Sequence, residues 1–244
     1  RRMLVLAGCV QESAAPVINA AAARVLDALD ISLQEAAGAG CCGALRFHLD
    51  DPDGARADAR RNIDAWWPQI ESGEVEAIVM TASGCGVQVR DYAHLLEHDP
   101  EYAERAARIA AVTYDLSEVV AAERDKLRHR LAPADAVRVA FQAPCTLQHG
   151  QRLRGVVESV LASAGFEALP VADAHMCCGS AGAYSLLQPE LAERLRERKL
   201  HALQATGADE VVTANVGCLL HLQGASERPV RHWIELLDEQ LLSA

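Results

Sequence analysis

Short apolar runs alternate along the chain with longer stretches whose apolar residues recur every three or four positions. The first run, Arg2–Val10, predicts a buried parallel strand. Ser13 is placed to cap a following helix, with Pro16 in its first turn and Val17, Ala21, Val25 and Leu29 on one face. Ile31–Ala36 predicts a second strand, and Gly38, Gly40 and Gly43 make the segment after it a loop. Asp51–Ile70 predicts an amphipathic helix with Ala55, Ala59, Ile63, Trp66 and Ile70 inward, ending near Trp67 because Pro68 follows. Val75–Ala82 predicts a third strand, and Val87–Leu96 a helix. A long Ala- and charge-rich helical region over Pro100–His129 breaks near Tyr114-Asp115.

The pattern then starts again. Leu131–Ala136, with Pro133, reads as the linker between two domains, 1–132 and 133–244. Val137–Gln142 predicts a strand and Thr146–Ala164 a helix with Leu153, Val157, Val160 and Ala164 on its apolar face, stopped by Gly165. Phe166–Ala172 predicts a strand, Pro189 opens a charged helix that Gly207 ends, Glu210–Ala214 predicts a strand, and Val230–Leu242 a closing helix. Strand alternating with helix, twice over, predicts an α/β fold: two tandem, internally repeated Rossmann-like domains with parallel sheets.

Cysteine adds the chemistry. Cys41-Cys42-Gly43 recurs as Cys177-Cys178-Gly179. Cys9 lies 32 positions before Cys41, and Cys145 lies 32 before Cys177; Cys85 follows Cys42 by 43, and Cys218 follows Cys178 by 40. All 8 cysteines therefore fall into two sets of four, and each lies just after a predicted strand or in the loop that follows one. Ligands of open α/β sheets bind at the carboxyl ends of the strands, so four distant cysteines can converge there. Four thiolates suit an iron–sulfur cluster or zinc. Adjacent cysteines point opposite ways on an extended strand, so both face one centre only if the backbone turns sharply, which Gly43 or Gly179 permits. Zinc sites more often use Cys-x-x-Cys, so the vicinal pair ranks iron–sulfur ahead of zinc, and both ahead of thiol–disulfide chemistry.

Three histidines lie near cysteines: His149, His175 and His221. Each is a candidate extra ligand or a hydrogen-bond donor to a cluster sulfur, and each is equally explained as a capping or surface residue. Cys218-x-x-His221 has metal-ligand spacing. The sequence carries no Ser/His/Asp order, phosphate-binding loop or dinucleotide fingerprint, so no self-contained active site is expected.

At 244 residues, 50% hydrophobic and 23% charged, the chain has the composition of a folded domain pair, and aromatic residues at 4% leave the core to aliphatic side chains and alanine. The net charge of −11 argues against nucleic acid as a partner. Arg1-Arg2 before Met3–Cys9 resembles a lipoprotein signal, but its apolar run is short, and a first buried strand explains the same residues.

Longer stretches carry a resemblance. These are Asn62-Ile63-Asp64-Ala65-Trp66-Trp67-Pro68, Thr81-Ala82-Ser83-Gly84-Cys85-Gly86, Pro144-Cys145-Thr146-Leu147-Gln148-His149, Cys177-Cys178-Gly179-Ser180-Ala181-Gly182, Thr213-Ala214-Asn215-Val216-Gly217-Cys218 and Arg231-His232-Trp233-Ile234-Glu235. Together they resemble the cysteine-rich CCG family to which heterodisulfide reductases belong, and more closely the C-terminal part of glycolate oxidase iron–sulfur subunits. The resemblance implies a non-catalytic electron-transfer subunit of a glycolate dehydrogenase. It would pass electrons from an FAD-containing subunit, which oxidises the 2-hydroxy acid, toward a quinone. Lactate or glycerol-3-phosphate oxidation, or a zinc or thiol scaffold without redox role, are the alternatives. Carried over by position, Cys9, Cys41, Cys42 and Cys85 hold one centre, and Cys145, Cys177, Cys178 and Cys218 the other. The heterodisulfide reductase type has a fifth cysteine per site, in a terminal Cys-x-x-Cys. Here Cys85 is flanked at that spacing by Ala82 and Gln88, and Cys218 by Asn215 and His221. An ordinary [4Fe–4S] cluster on four cysteines, with zinc as the alternative at one site, is therefore expected. The family's ferredoxin-like N-terminal region is missing, so the chain reads as a fragment. The expected location is cytoplasmic, peripheral to the inner membrane through partners.

Overall fold

The computed structural model describes residues 1–132 and 137–242. It contains two compact units, Arg1–Val119 and Val120–Ala244. The linker expected at 131–136 falls later than this division, and its residues 133–136 lie outside the described residues.

The first unit runs β1 (Arg2–Val5), α1 (Cys9–Ala14), α2 (Val17–Asp27), β2 (Ser32–Glu35), α3 (Ala44–His48), α4 (Pro52–Glu71), β3 (Ile78–Met80), α5 (Ser83–Arg90), α6 (Tyr92–Leu95), α7 (Ala103–Ala111) and β4 (Thr113–Asp115). The units divide within α8 (Leu116–Ala122). The second unit continues with α9 (Arg124–Arg128), β5 (Arg138–Gln142), a single π-helical turn at Thr146–Gly150, α10 (Val156–Ser163) and β6 (Glu167–Leu169). It closes with α11 (Tyr184–Leu187), α12 (Pro189–Gln204), β7 (Glu210–Thr213), α13 (Val216–Gln223), β8 (Val230–His232) and α14 (Trp233–Glu239).

Each unit has one four-stranded, all-parallel sheet, ordered β2-β1-β3-β4 in the first and β6-β5-β7-β8 in the second. The predicted fold class is thus the one observed. The repeat extends to register. Leu4 and Val5 pair with Ile78 and Val79 in the first sheet, as Val139–Gln142 pair with Glu210–Thr213 in the second. In both, the first strand has its sequence neighbour on one side and the third strand on the other. That reversal is the switch point at which α/β sheets open a crevice at their carboxyl ends.

The inward face predicted for α4 is buried throughout: Ala55, Ala59, Ile63, Trp66 and Ile70 all lie in the core. Asp51 caps this helix, its carboxylate accepting the Gly54 N–H at 2.9 Å. Pro68 does not end it, because in the last turn a missing N–H removes only one backbone bond and the helix runs on to Glu71.

Several expectations are corrected. The first strand ends at Val5, and Ser13 lies inside α1, its hydroxyl donating to the Cys9 carbonyl rather than capping α2. Val17 is exposed, and Leu29 lies beyond α2, although buried. The break at Tyr114-Asp115 is a strand, β4. Val230–His232 is likewise a strand before α14, whose capping box pairs His232 with Glu235. The helix predicted over Thr146–Ala164 is divided at Gly155 (φ 73°), which caps α10. Leu131 forms an antiparallel bridge to Leu241. Among the described residues, no helix is long and apolar enough to cross a membrane.

Candidate functional site

In each unit the four cysteines sit at the carboxyl ends of three adjacent strands. Cys9 opens α1 after β1, and Cys145 caps the π-helical turn after β5. The pairs Cys41-Cys42 and Cys177-Cys178 lie in the loops after β2 and β6. Cys85 and Cys218 are the third residues of α5 and α13, which follow β3 and β7. Both follow strands as expected, but they lie in the first turn of a helix rather than in a loop.

Gly43 and Gly179 supply the turn that vicinal cysteines need. Their φ angles are 88° and 96°, a region costly for residues with a Cβ. Their N–H groups point back at the preceding sulfurs, Gly43 to Cys41 Sγ at 3.4 Å and Gly179 to Cys177 Sγ at 3.3 Å. Both glycines also lie tightly on the next long helix. A Cβ on Gly43 would stand 3.1 Å from the Ala55 carbonyl oxygen, and one on Gly179 only 2.3 Å from that of Ala192.

The sulfurs of each set touch one another. Cys9 Sγ is 3.4 Å from Cys41 Sγ, and the thiols of Cys41 and Cys42, and of Cys42 and Cys85, interact in turn. In the second set Cys178 Sγ is 3.0 Å from Cys218 Sγ, and Cys177 contacts both Cys145 and Cys178. All eight cysteines are free thiols; Cys9 is exposed, Cys42, Cys178 and Cys218 are buried, and the rest are half-buried.

Crowding governs their protonation. Burial, then the Cys41 neighbour, pushes Cys9 up, and the Cys42 contact pushes Cys41 up. The Cys41 contact pulls Cys42 down, but Cys85 and burial outweigh it and its thiol is raised. In the second set the Cys177 contacts raise Cys145 and Cys178. Cys177 is pulled well below the ordinary thiol range by Cys145 and Cys178, helped by the Gly179 N–H and the nearby Lys199 charge. The raised groups stay neutral thiols, and all four of a set could ionise together only beside a cation.

The donor set fits an iron–sulfur cluster or zinc: four soft sulfurs converge from three strand ends and a glycine N–H stands on a sulfur in each unit. The sulfurs would have to spread to bind one. Tetrahedral zinc with Zn–S of about 2.3 Å needs sulfurs ~3.8 Å apart. Among the described residues no group of three or more His, Cys, Asp or Glu already stands in metal-site geometry.

Residues not singled out from the sequence hold the loops. Asn62, fully buried on α4, donates to the Cys41 carbonyl at 2.9 Å and to Tyr92 Oη at 3.0 Å, and accepts the Gly40 N–H at 2.8 Å. Tyr92, also fully buried, donates to the Cys42 carbonyl at 2.9 Å. Arg61 donates to the Cys41 carbonyl at 3.2 Å and pairs with buried Asp58 at 2.6 Å. In the second unit Gln148 donates to the Ala143 and Ala174 carbonyls, each at 2.9 Å. Lys199, 1% exposed, donates to the Asp173 carbonyl at 2.9 Å. Burial lowers its ammonium below the usual lysine range, while Cys178, Asp173, Cys177 and Cys218 act to raise it. Asn215 Nδ2 lies 3.6 Å from Cys218 Sγ.

The three candidate histidines are placed apart from the sulfurs' contacts. His149 donates from Nε2 to the His175 carbonyl at 3.0 Å and accepts from Arg154 at Nδ1 at 3.1 Å, so both ring nitrogens are engaged. His175 is exposed. His221 Nε2 faces the Ala192 carbonyl at 3.4 Å, and burial lowers its imidazole below the ordinary range.

Four likenesses to known proteins bear on this arrangement. The chain is 48% identical over 99% of its length to the Escherichia coli (strain K12) glycolate oxidase iron-sulfur subunit, of which it covers 58%. It is 25% identical over 82% of its length to lactate utilization protein A of Shouchella clausii (strain KSM-K16), of which it covers 83%. The crystal structure of a hypothetical protein from Helicobacter pylori matches the whole chain with a TM-score of 0.67 at 8% identity, the match covering 49% of that chain, which supports the fold alone. The family model described as "Cysteine-rich domain", CCG, matches residues 3–90 and again 139–223, so each copy takes in one four-cysteine set. The chain belongs to the CCG cysteine-rich domain family.

Proposed function

We propose that the chain is the cluster-bearing part of an iron–sulfur electron-transfer subunit serving 2-hydroxy-acid oxidation, with glycolate as the substrate of a partner subunit. The observation that carries this reading is the convergence of four thiols at the same strand ends of both repeats. The similarity to a glycolate oxidase iron-sulfur subunit supports the acid, although the chain spans little more than half of that protein. Cys9, Cys41, Cys42 and Cys85 would hold one centre, and Cys145, Cys177, Cys178 and Cys218 the other. A bound iron–sulfur cluster supplies one-electron transfer at such a site. The chain's residues do the rest: Gly43 and Gly179 direct N–H groups at sulfur, and Asn62, Tyr92, Gln148 and Lys199 fix the loops that carry the cysteine pairs.

An FAD-containing subunit would donate the electrons and a quinone would receive them, with no substrate oxidised on this chain. A ferredoxin-like region would connect it to the donor. The location proposed is the cytoplasm, at the inner membrane through partners. Lactate as the partner's substrate is the second reading, favoured by the lactate utilization relative. A [4Fe–4S] cluster in each set is proposed, with zinc at one set as the alternative.

The test is anaerobic purification with iron, zinc and acid-labile sulfide analysis and EPR of the reduced protein. Iron with sulfide and a reducible signal supports the reading. Zinc alone in both sets, or metal-free protein with two reactive adjacent thiol pairs, overturns it.

A further inference from the structure

The two cysteine sets are alike in position but differ in buried charge: the cations beside the first, Arg46 and Arg61, are exposed and both pair with Asp58, at 3.1 and 2.6 Å. The carbonyls of Ala55 and Ala192 oppose Gly43 and Gly179, which puts α4 and α12 in register. Seven residues on, the equivalent positions are Asn62 and Lys199. Both side chains are buried, and both bond the backbone near the cysteine pair: Asn62 at Gly40 and Cys41, Lys199 at Asp173 (2.9 Å) and Ala174 (3.5 Å). One is a neutral amide; the other is an ammonium.

One opposite charge near Lys199, that of Asp173, also acts on it, but from an exposed carboxylate shared with Arg198. The Asp173 carboxylate is paired with Arg198 at 2.7 Å, and both bonds from Lys199 go to carbonyls. Lys199 interacts electrostatically with Cys177, Cys178 and Cys218. The second set is also the more enclosed, with Cys178 and Cys218 buried, whereas the first set has Cys42 buried and Cys9 exposed. Buried charges are screened far less than surface ones. A cation there stabilises the state of a bound centre that carries one more negative charge.

We propose that Lys199 raises the electron affinity of the second centre, where the first has a neutral amide in the same place. Taking up one electron adds one negative charge to the centre and forms or breaks no bond; the donor is the flavin subunit, or dithionite in the assay. This rests on the reading that both sets hold redox centres. Lys199 is a positioning and tuning residue and does not touch the acid that is oxidised.

The test is an EPR-monitored redox titration of the holoprotein, with Cys42→Ser and Cys178→Ser used to assign each signal to its set. Lys199→Gln keeps a donor for the Asp173 and Ala174 carbonyls but removes the charge. The expected result is a tenfold or larger weakening of electron uptake at the second centre, about 59 mV for one electron, with the first centre unchanged. A change under twofold, about 18 mV on the same scale, or an equal shift of both centres, overturns the proposal. If Lys199→Gln does not retain the second centre, Lys199→Arg decides: a midpoint within twofold of wild type supports it, and loss of the centre there too overturns it. Wild-type protein without iron and sulfide removes the function reading, and this inference with it. A loaded wild type whose variant does not shift removes this inference alone.

Discussion

Replacing Gly179 with alanine is the sharpest perturbation the fold offers, because two costs fall on one atom. The first is conformational: φ of 96° lies outside the left-handed region near 57° that non-glycine residues tolerate. Residues held in such regions cost about 1–3 kcal/mol. The second is steric: the new Cβ would stand 2.3 Å from the Ala192 carbonyl oxygen, 3.0 Å from His221 Nε2 and 3.1 Å from Leu195 Cβ. The closest of these is backbone of α12, so relief requires moving the helix or the Cys177-Cys178 loop. Overpacking of this kind costs roughly 1–3 kcal/mol. Together the loss is about 2–6 kcal/mol. Gly207 is the control without the clash: its φ of 67° lies within the left-handed region, and nothing is within 4 Å of a built Cβ. Gly207→Ala should cost about 1 kcal/mol. Gly43→Ala, at 3.1 Å from the Ala55 oxygen, should fall between them. The assay is urea unfolding of reduced protein, read as a change in midpoint at constant slope. Gly179→Ala should also lower cofactor content at the second set alone. If Gly179→Ala and Gly207→Ala are equally destabilising, or Gly179→Ala keeps full cofactor content, the close packing of the loop on α12 is not what shapes the site.

Asn62→Ala takes the side-chain partner from the Gly40 N–H and one bond each from the Cys41 carbonyl, which keeps Arg61, and Tyr92 Oη, which keeps the Cys42 carbonyl, so it should destabilise the first unit by about 2–4 kcal/mol in urea unfolding, given roughly 1–3 kcal/mol for an unsatisfied buried group. Tyr92→Phe removes fewer bonds and should cost less, about 1–2 kcal/mol. His149→Ala should leave iron and sulfide content unchanged, because both ring nitrogens already have protein partners; loss of one centre would make His149 a ligand. The Arg138 guanidinium holds the Asp209 carboxyl below its ordinary range, so this pair stabilises the fold above the unfolded carboxyl pKa and the contribution disappears as pH falls through the lower folded value. Asp209→Asn should therefore flatten the acid limb of the stability profile, and an unchanged limb would show that the pair is inert.

Much of the site was legible because cysteine spacing is insensitive to where helices and strands begin. The two sets, and the glycines that turn the vicinal pairs, follow from residue identity and backbone chemistry alone. The parallel sheets were legible for a similar reason: Leu4–Val5 and Val139–Phe141 are buried strands with no polar alternation. What was missed is short or depends on register. The strands β4 and β8 are three residues each, too few to set up a period. Helix α5 begins at Ala82, a poor cap residue, so the turn that carries Cys85 is unmarked in the sequence; α13 begins at Asn215, a favoured cap type whose signal was missed. Lys199 follows Glu197-Arg198 and reads as part of a solvated face. Its 1% exposure and its bonds to the Asp173 and Ala174 carbonyls show that it points inward.

The central claim is two separate four-cysteine centres, one in each repeat. It is tested most directly by measuring iron and acid-labile sulfide per chain in anaerobically purified wild type, Cys42→Ser and Cys178→Ser. Two centres mean cluster in both sets of the wild type, half that content in each variant, and a different EPR signal lost from each. Zinc without sulfide in both sets, or a folded variant that loses both centres at once, would contradict it.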